Sequence, residues 1–205
     1  MDEQLIKNLF SIPILKTNIG REIAPEEQEL IRQLAAKVNN NPGNYTSAER
    51  KILDTSLPEI RQFIEDFIFL YVDQVIAPID DLDFYITQSW INFTQPSGFH
   101  HRHHHPNSFL SGVFYFNTNP NNDEITFFRP IPNNWHIPPK QFNAFNSQQW
   151  TFKVTQGDLI IFPSNLEHTV NLTKSQETRI SLAFNVFFSG EIGKDETLTK
   201  LRISR

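Results

Sequence analysis

"SGFHHRHHHPNSFLSGVFYF", residues 97–116, carries both features that the rest of the chain must explain. Five of the seven histidines fall between His100 and His105, and the run after Pro106 is apolar and aromatic, as strands are. An affinity tag would sit at a terminus on a Gly/Ser linker. This cluster lies mid-chain and leads into a strand, so it is either a solvated loop or a site. If residues 99–105 are extended, side chains alternate between faces. His101, His103 and His105 then share one face, and His100, Arg102 and His104 the other. Two imidazoles two residues apart on a strand can grip one metal ion. His103 belongs to both candidate pairs, 101/103 and 103/105, and Pro106, which cannot donate to a ladder, ends the strand.

Outward from this stretch the pattern continues. "DFYITQSWINFTQ", "SFLSGVFYFN", "EITFFRP", "QWTFKV", "GDLIIFPS" and "RISLAFNVFF" are short, rich in aromatic and β-branched residues, and separated by turn signals such as "QPSG", "NTNPNN" and "TQGD". Upstream, residues 1–80 read as helical support. "APEEQELIRQLAAKVNN" is amphipathic through Leu30, Ile31, Leu34, Ala35 and Val38, and "LPEIRQFIEDFIFLYVDQVI" through Ile60, Phe63, Ile64, Phe67 and Leu70. The expectation is one domain over 1–205, mainly β, with helices packed outside a jelly-roll core at 82–190. Asn119–Ser147, rich in Pro and Asn, reads as long loops at one end, and Trp135 with His136 there could meet a substrate.

Composition narrows the function. The 205 residues include 19 Phe and no Cys, so disulfides, thiolate metal sites and thiol catalysis are excluded. A net charge of −5 without a long basic run argues against a dedicated nucleic-acid surface. The acidic opening "MDEQLIKNLF" lacks the pattern of a signal peptide, and no apolar run is long enough to cross a bilayer. A soluble, cytoplasmic protein is expected, with no membrane partner and with oligomerisation left open.

A third imidazole, His168, follows the strand "GDLIIFPS". If "TKSQE" makes a turn, "HTVNL" and "RISLAFN" pair as a hairpin with Arg179 and Ser181 beside His168. A guanidinium near a hydroxyl and a metal-binding imidazole suits a carboxylate-bearing cosubstrate. The bland alternative for Arg179 is a surface ion pair with Glu167 or Glu177, and for Trp90, Trp135 and Trp150 it is packing.

Taken in order, "SWIN", "HHHPNSFLSGVFYF", "GDLIIFPSNLEHTV" and "RISLAFN" resemble the Fe(II)- and 2-oxoglutarate-dependent oxygenases, in particular a family found in phages and marine bacteria. The resemblance is strongest from Trp90 to Phe188. It implies a double-stranded β-helix (cupin-like) holding Fe(II) at His103, His105 and His168. It also implies 2-oxoglutarate as cosubstrate on Arg179 and Ser181, with Asn92 and Tyr115 as further contacts, and hydroxylation of an unidentified substrate in the cytoplasm, the host's if a phage encodes it. One departure stands out: the wider superfamily uses two histidines and a carboxylate, and here His105 takes the carboxylate's place, either as ligand or orienting a water. Two other readings remain beside this one, a three-histidine cupin-like dioxygenase without 2-oxoglutarate and a non-catalytic metal-binding β-sandwich, such as a virion or binding component.

Overall fold

The computed structural model describes the backbone of residues 9–34, 37–130 and 137–205, and side chains outside 37–41. Ala35, Trp135 and His136 lie outside the described residues. In chain order the elements are β1 (Leu15–Asn18), α1 (Pro25–Gln33), β2 (Lys37–Asn41), β3 (Asn44–Ser47), α2 (Ile52–Thr55), α3 (Pro58–Tyr71), β4 (Asp83–Thr94), β5 (His100–His103), β6 (Leu110–Asn117), β7 (Glu124–Phe128), β8 (Gln149–Lys153), β9 (Asp158–Pro163), β10 (His168–Val170), β11 (Arg179–Ile192) and β12 (Leu201–Ile203). All six aromatic segments are strands. No helix among the described residues is long and apolar enough to cross a membrane.

Two antiparallel sheets form a double-stranded β-helix. The larger runs β1-β9-β6-β11-β4-β3-β2, with β12 on β11, and the smaller runs β5-β10-β7-β8. Period-two alternation divides the large sheet's side chains between two cores. Leu110, Phe114, Leu182, Phe184 and Val186 pack with Ile52, Ile60, Ile64 and Ile68 of α2 and α3. Val113, Tyr115, Ile160 and Phe162 point the other way, against Ile125 and Phe127 of the small sheet.

The first 80 residues are less helical than their pattern suggests, because β1, β2 and β3 join the large sheet. α1 stops at Gln33, and Val38 belongs to a strand. The cause is the turn at Pro42–Gly43, where Pro presets φ and Gly43 takes φ +75°. A Cβ there would lie 2.6 Å from Gly98 Cα, so this turn fits only a glycine against the loop that enters the histidine strand. α3 turns Ile60, Ile64, Ile68 and Tyr71 inward, with Phe63 and Phe67 flanking. In the Asn119–Ser147 region only β7 is regular among the described residues.

Candidate metal centre

β5 and β10 bring the histidines together. His168 pairs directly with His103, and Val170 with His100, so two steps along β10 match three along β5. That is a bulge, and an extra residue shifts the alternation. It corrects the simple period-two expectation: His100, grouped above with Arg102 and His104, joins His103 in lining the inner cavity, with ring centroids 4.3 Å apart. His101 and His104 are exposed. The chain leaves β5 after His103, and the His105 N–H bonds the Ser164 carbonyl at 2.9 Å, which returns His105 to the cavity.

His103, His105 and His168 each offer a ring nitrogen, all within 4.8 Å of one another. Their other nitrogens are committed. Nδ1 of His103 meets the His101 carbonyl at 2.7 Å, that of His168 meets the Leu166 carbonyl at 3.1 Å, and that of His105 meets Asn185 Oδ1 at 2.6 Å. Carbonyls only accept, so each Nδ1 carries its proton and each Nε2 keeps a lone pair. Burial, above all, lowers the pKa of His168 to about 3 and of His103 to about 4, and lowers that of His105 too. The rings are neutral at pH 7, as metal ligation requires. A second cluster, His100, His101 and His103, is closer to solvent and uses an exposed ring. Among the described residues no carboxylate joins either group.

The expected hairpin between the His168 strand and "RISLAFN" does not form. β10 lies in the small sheet and β11 in the large one, so His168 and Arg179 face each other across the space between sheets. Local spacing could not show this crossover. The residues still converge: Ser181 is the direct partner of both Asn92 on β4 and Tyr115 on β6, and Arg179 lies two positions along the same face. All four line the inner cavity with His103, His105 and His168.

Arg179 is 3% exposed, its guanidinium 5.1 Å from the Tyr115 ring centre. Neither acid proposed as its partner takes it: Glu167 pairs with Arg102, and Glu177 makes no ion pair with it among the described residues. Arg179 Nε, Tyr115 Oη, Asn92 Oδ1 and Asn44 Nδ2 are buried without a hydrogen-bond partner in good geometry among the described residues. Burial pushes the Tyr115 hydroxyl up to about 12, so it stays a donor. Orphaned polar atoms cost about 1–3 kcal/mol each, and four on one wall of one cavity mark a place built for a polar ligand. The donor set fits a carboxylate on Arg179 and Tyr115 and a metal on the three Nε2 atoms.

Two contributors carried weaker sequence signals. Asn185 stands in the period-two row Arg179, Ser181, Ala183, Asn185, and it also accepts a hydrogen bond from Ser111 at 2.9 Å. Trp90, read as packing, stacks on His105 with centroids 5.9 Å apart and lines the cavity. Trp150, also read as packing, is 47% exposed on β8.

Residues 88–185 match the family described as "Putative 2OG-Fe(II) oxygenase". None of the curated proteins matches the chain. Among solved structures it is similar to an oxidoreductase of the 2OG-Fe(II) oxygenase family from Burkholderia pseudomallei, at 14% identity and TM-score 0.53, covering 84% of this chain and 83% of that one. It is also similar to a Pseudomonas putida prolyl-4-hydroxylase, at 14% identity and TM-score 0.53, covering 86% and 92%. A third is HygX from Streptomyces hygroscopicus with nickel, 2-oxoglutarate and hygromycin B bound, at 12% identity and TM-score 0.55, covering 85% and 82%. At such identities these likenesses establish the fold. The family match adds a chemical likeness to the fold: over residues 88–185 the chain is similar to the 2OG-Fe(II) oxygenases, which are oxidoreductases.

Proposed function

We propose that His103, His105 and His168 hold Fe(II) through Nε2, that Arg179 and Ser181 bind the far carboxylate of 2-oxoglutarate with Tyr115 and Asn92 beside them, and that the reaction is a hydroxylation. On this reading the chain is one oxygenase domain, its first 80 residues extending the large sheet with three strands and backing it with helices. The observation that carries it is the pairing of three imidazoles with free Nε2 atoms and a buried guanidinium without a carboxylate, on facing walls of one cavity.

Bound Fe(II) and 2-oxoglutarate supply, from O2, an oxidant able to attack an unactivated C–H bond, with the cosubstrate leaving as succinate and CO2. The protein's share is position and charge. Arg179 would orient the cosubstrate by charge-assisted hydrogen bonds, which are shorter and stronger than neutral ones. The Asn185 carbonyl oxygen fixes His105 in the tautomer that presents Nε2. Phe162 and Phe127 pack against His168, with ring centroids 4.8 and 5.9 Å away, and keep that side dry. With His105 in the carboxylate's usual place the three ligands are neutral, and the cosubstrate's two negative charges would balance the metal. The cavity has about 30 Å3 of free space, so a five-carbon dicarboxylate enters only if side chains move. His100 lines both this cavity and the cleft outside it.

Anaerobic titration of the Fe(II) protein with 2-oxoglutarate tests the reading through the weak visible metal-to-ligand charge-transfer band. A band that requires His168 and weakens in Arg179→Gln is expected. Stoichiometric iron without any band would favour a three-histidine dioxygenase that does not use 2-oxoglutarate. Four protein ligands closing the metal would mean a structural site.

A further inference from the structure

Outside the inner cavity lies a larger cleft of about 550 Å3, walled by Arg50, Gln88, Trp90, His101, His104 and Asn185, with His103 and His105 common to both spaces. The chain has 23 acidic residues against 18 basic ones. Even so, among the described residues lining this cleft none carries a carboxylate. Among the described residues its permanent cation is Arg50, half-buried at the end of the loop after β3. The guanidinium donates to the Ser47 carbonyl and, at 3.2 Å, to the Thr46 hydroxyl. Those bonds use two of its five N–H groups.

The nearby acids are engaged elsewhere. The Glu49 carboxylate accepts the backbone N–H groups of Arg50 and Lys51 at 2.8 and 2.7 Å. Glu167 is held by Arg102. Among the described residues, Arg50 forms no ion pair. A half-buried guanidinium with donors to spare, in a cleft free of opposing charge, focuses positive potential where a substrate must pass. Trp90 lies on the same wall and stacks on His105, one of the imidazoles presented to the metal.

We infer that this cleft takes the prime substrate and selects one bearing an anionic group, a carboxylate or a phosphate, held by Arg50 while an apolar or planar portion lies on Trp90. The inference rests on the oxygenase reading of the three histidines, because it is their metal that makes the cleft the approach to the reaction. It assigns Arg50 to substrate selection, separate from Arg179, which serves the cosubstrate.

The test uses the full chain loaded with Zn(II) in place of Fe(II) and with 2-oxoglutarate, so that nothing turns over and Arg179 is occupied. The Trp90 indole N–H signal, identified by its loss in Trp90→Phe, is followed by NMR during titration with phenylacetate, its neutral amide phenylacetamide, and inorganic phosphate. Phenylacetate should bind at least about tenfold more tightly than the amide, as expected of a charged hydrogen-bond partner. Its capture should vanish in Arg50→Gln and persist in Arg50→Lys. It should also fall in Gln88→Glu, which sets a repelling charge at an exposed position where the fold is not at stake. Displacement by inorganic phosphate assigns the phosphate form of the anion, and failure to displace assigns the carboxylate form. Equal binding of acid and amide, capture that survives both Arg50→Gln and Gln88→Glu, or no response to any probe overturns the inference. So does an Arg50→Gln protein that loses 2-oxoglutarate as readily as phenylacetate. Capture of the anion by a chain that binds neither metal nor 2-oxoglutarate would instead sink the oxygenase reading and leave the anion site standing.

Discussion

The two faces of β11 obey opposite rules. On the helix side Leu182, Phe184 and Val186 are fully buried and apolar. Phe184 lies so close over Gly112 that a Cβ there would sit 2.1 Å from the ring. On the other side Arg179 and Ser181 are as deeply buried but polar, and atoms around them lack partners. One strand thus offers a surface optimised for packing and, one residue along, a surface left unsatisfied. Stability comes from the first and function from the second, and mutations on the two faces should separate these properties.

The largest effect belongs to the packed face. Phe184→Ala removes a ring with almost no surrounding freedom and should lower unfolding free energy by about 3–5 kcal/mol in urea titration. Gly112→Ala, which forces the ring aside, should cost about 1–3 kcal/mol. On the polar face the readout changes from stability to binding. His168→Ala should weaken Fe(II) affinity by at least about 100-fold, beyond what the loss of an orienting partner does, as read by metal content after dialysis. Arg179→Met is the sharpest case, because the comparison requires two opposite signs. Affinity for 2-oxoglutarate should fall at least about tenfold, while the metal-free protein gains about 1 kcal/mol or more, since an unpaired buried charge is replaced by an apolar chain. A loss of stability instead would mean that Arg179 is already satisfied, and the contrast between the faces would collapse. Asn185→Ala touches the metal only through His105 and should weaken it by about tenfold.

How much of this was legible depended on whether the signal was local. The six aromatic strands were, because all are bounded by turn residues and all but the exposed β8 bury apolar residues such as Phe114, Ile160 and Leu182. β1 and β2 were not, since Lys16, Asn18 and the Asn39–Asn41 run are poor strand formers that owe their state to neighbours in the sheet. Residue type and spacing offered His103 with either His101 or His105, and His168, Arg179 and Ser181, as candidates, and the choice of His105 came from the family resemblance. Their arrangement was not legible, because His168 and Arg179 approach from opposite sheets. His100 enters the cavity through a bulge that has no sequence signature, and Arg50 meets the histidines only through the pairing of β3 with β4.

Acid titration gives a gentler probe of the same contrast. Four histidines, His100, His103, His105 and His168, have pKa values lowered chiefly by burial, to about 2, 4 and 3 for His100, His103 and His168. In the unfolded chain they titrate near 6.5, so below that pH the unfolded state takes up protons that the folded state refuses. The metal-free protein should therefore lose stability as pH falls from about 6.5, by up to about 1.4 kcal/mol per pH unit for each histidine. Above 6.5 these groups are neutral in both states and contribute no slope. Glu27 and Asp158, whose pKa values are lowered by partners such as Arg21 and Asn18, lose their contribution only under more acidic conditions. Urea midpoints between pH 7.5 and 5 thus isolate the histidines, and His100→Ala should flatten the slope by one histidine's share. A wild-type slope already flat in that window would mean that the cavity admits water and protonates freely, which would remove the polar face's claim to be a dry site.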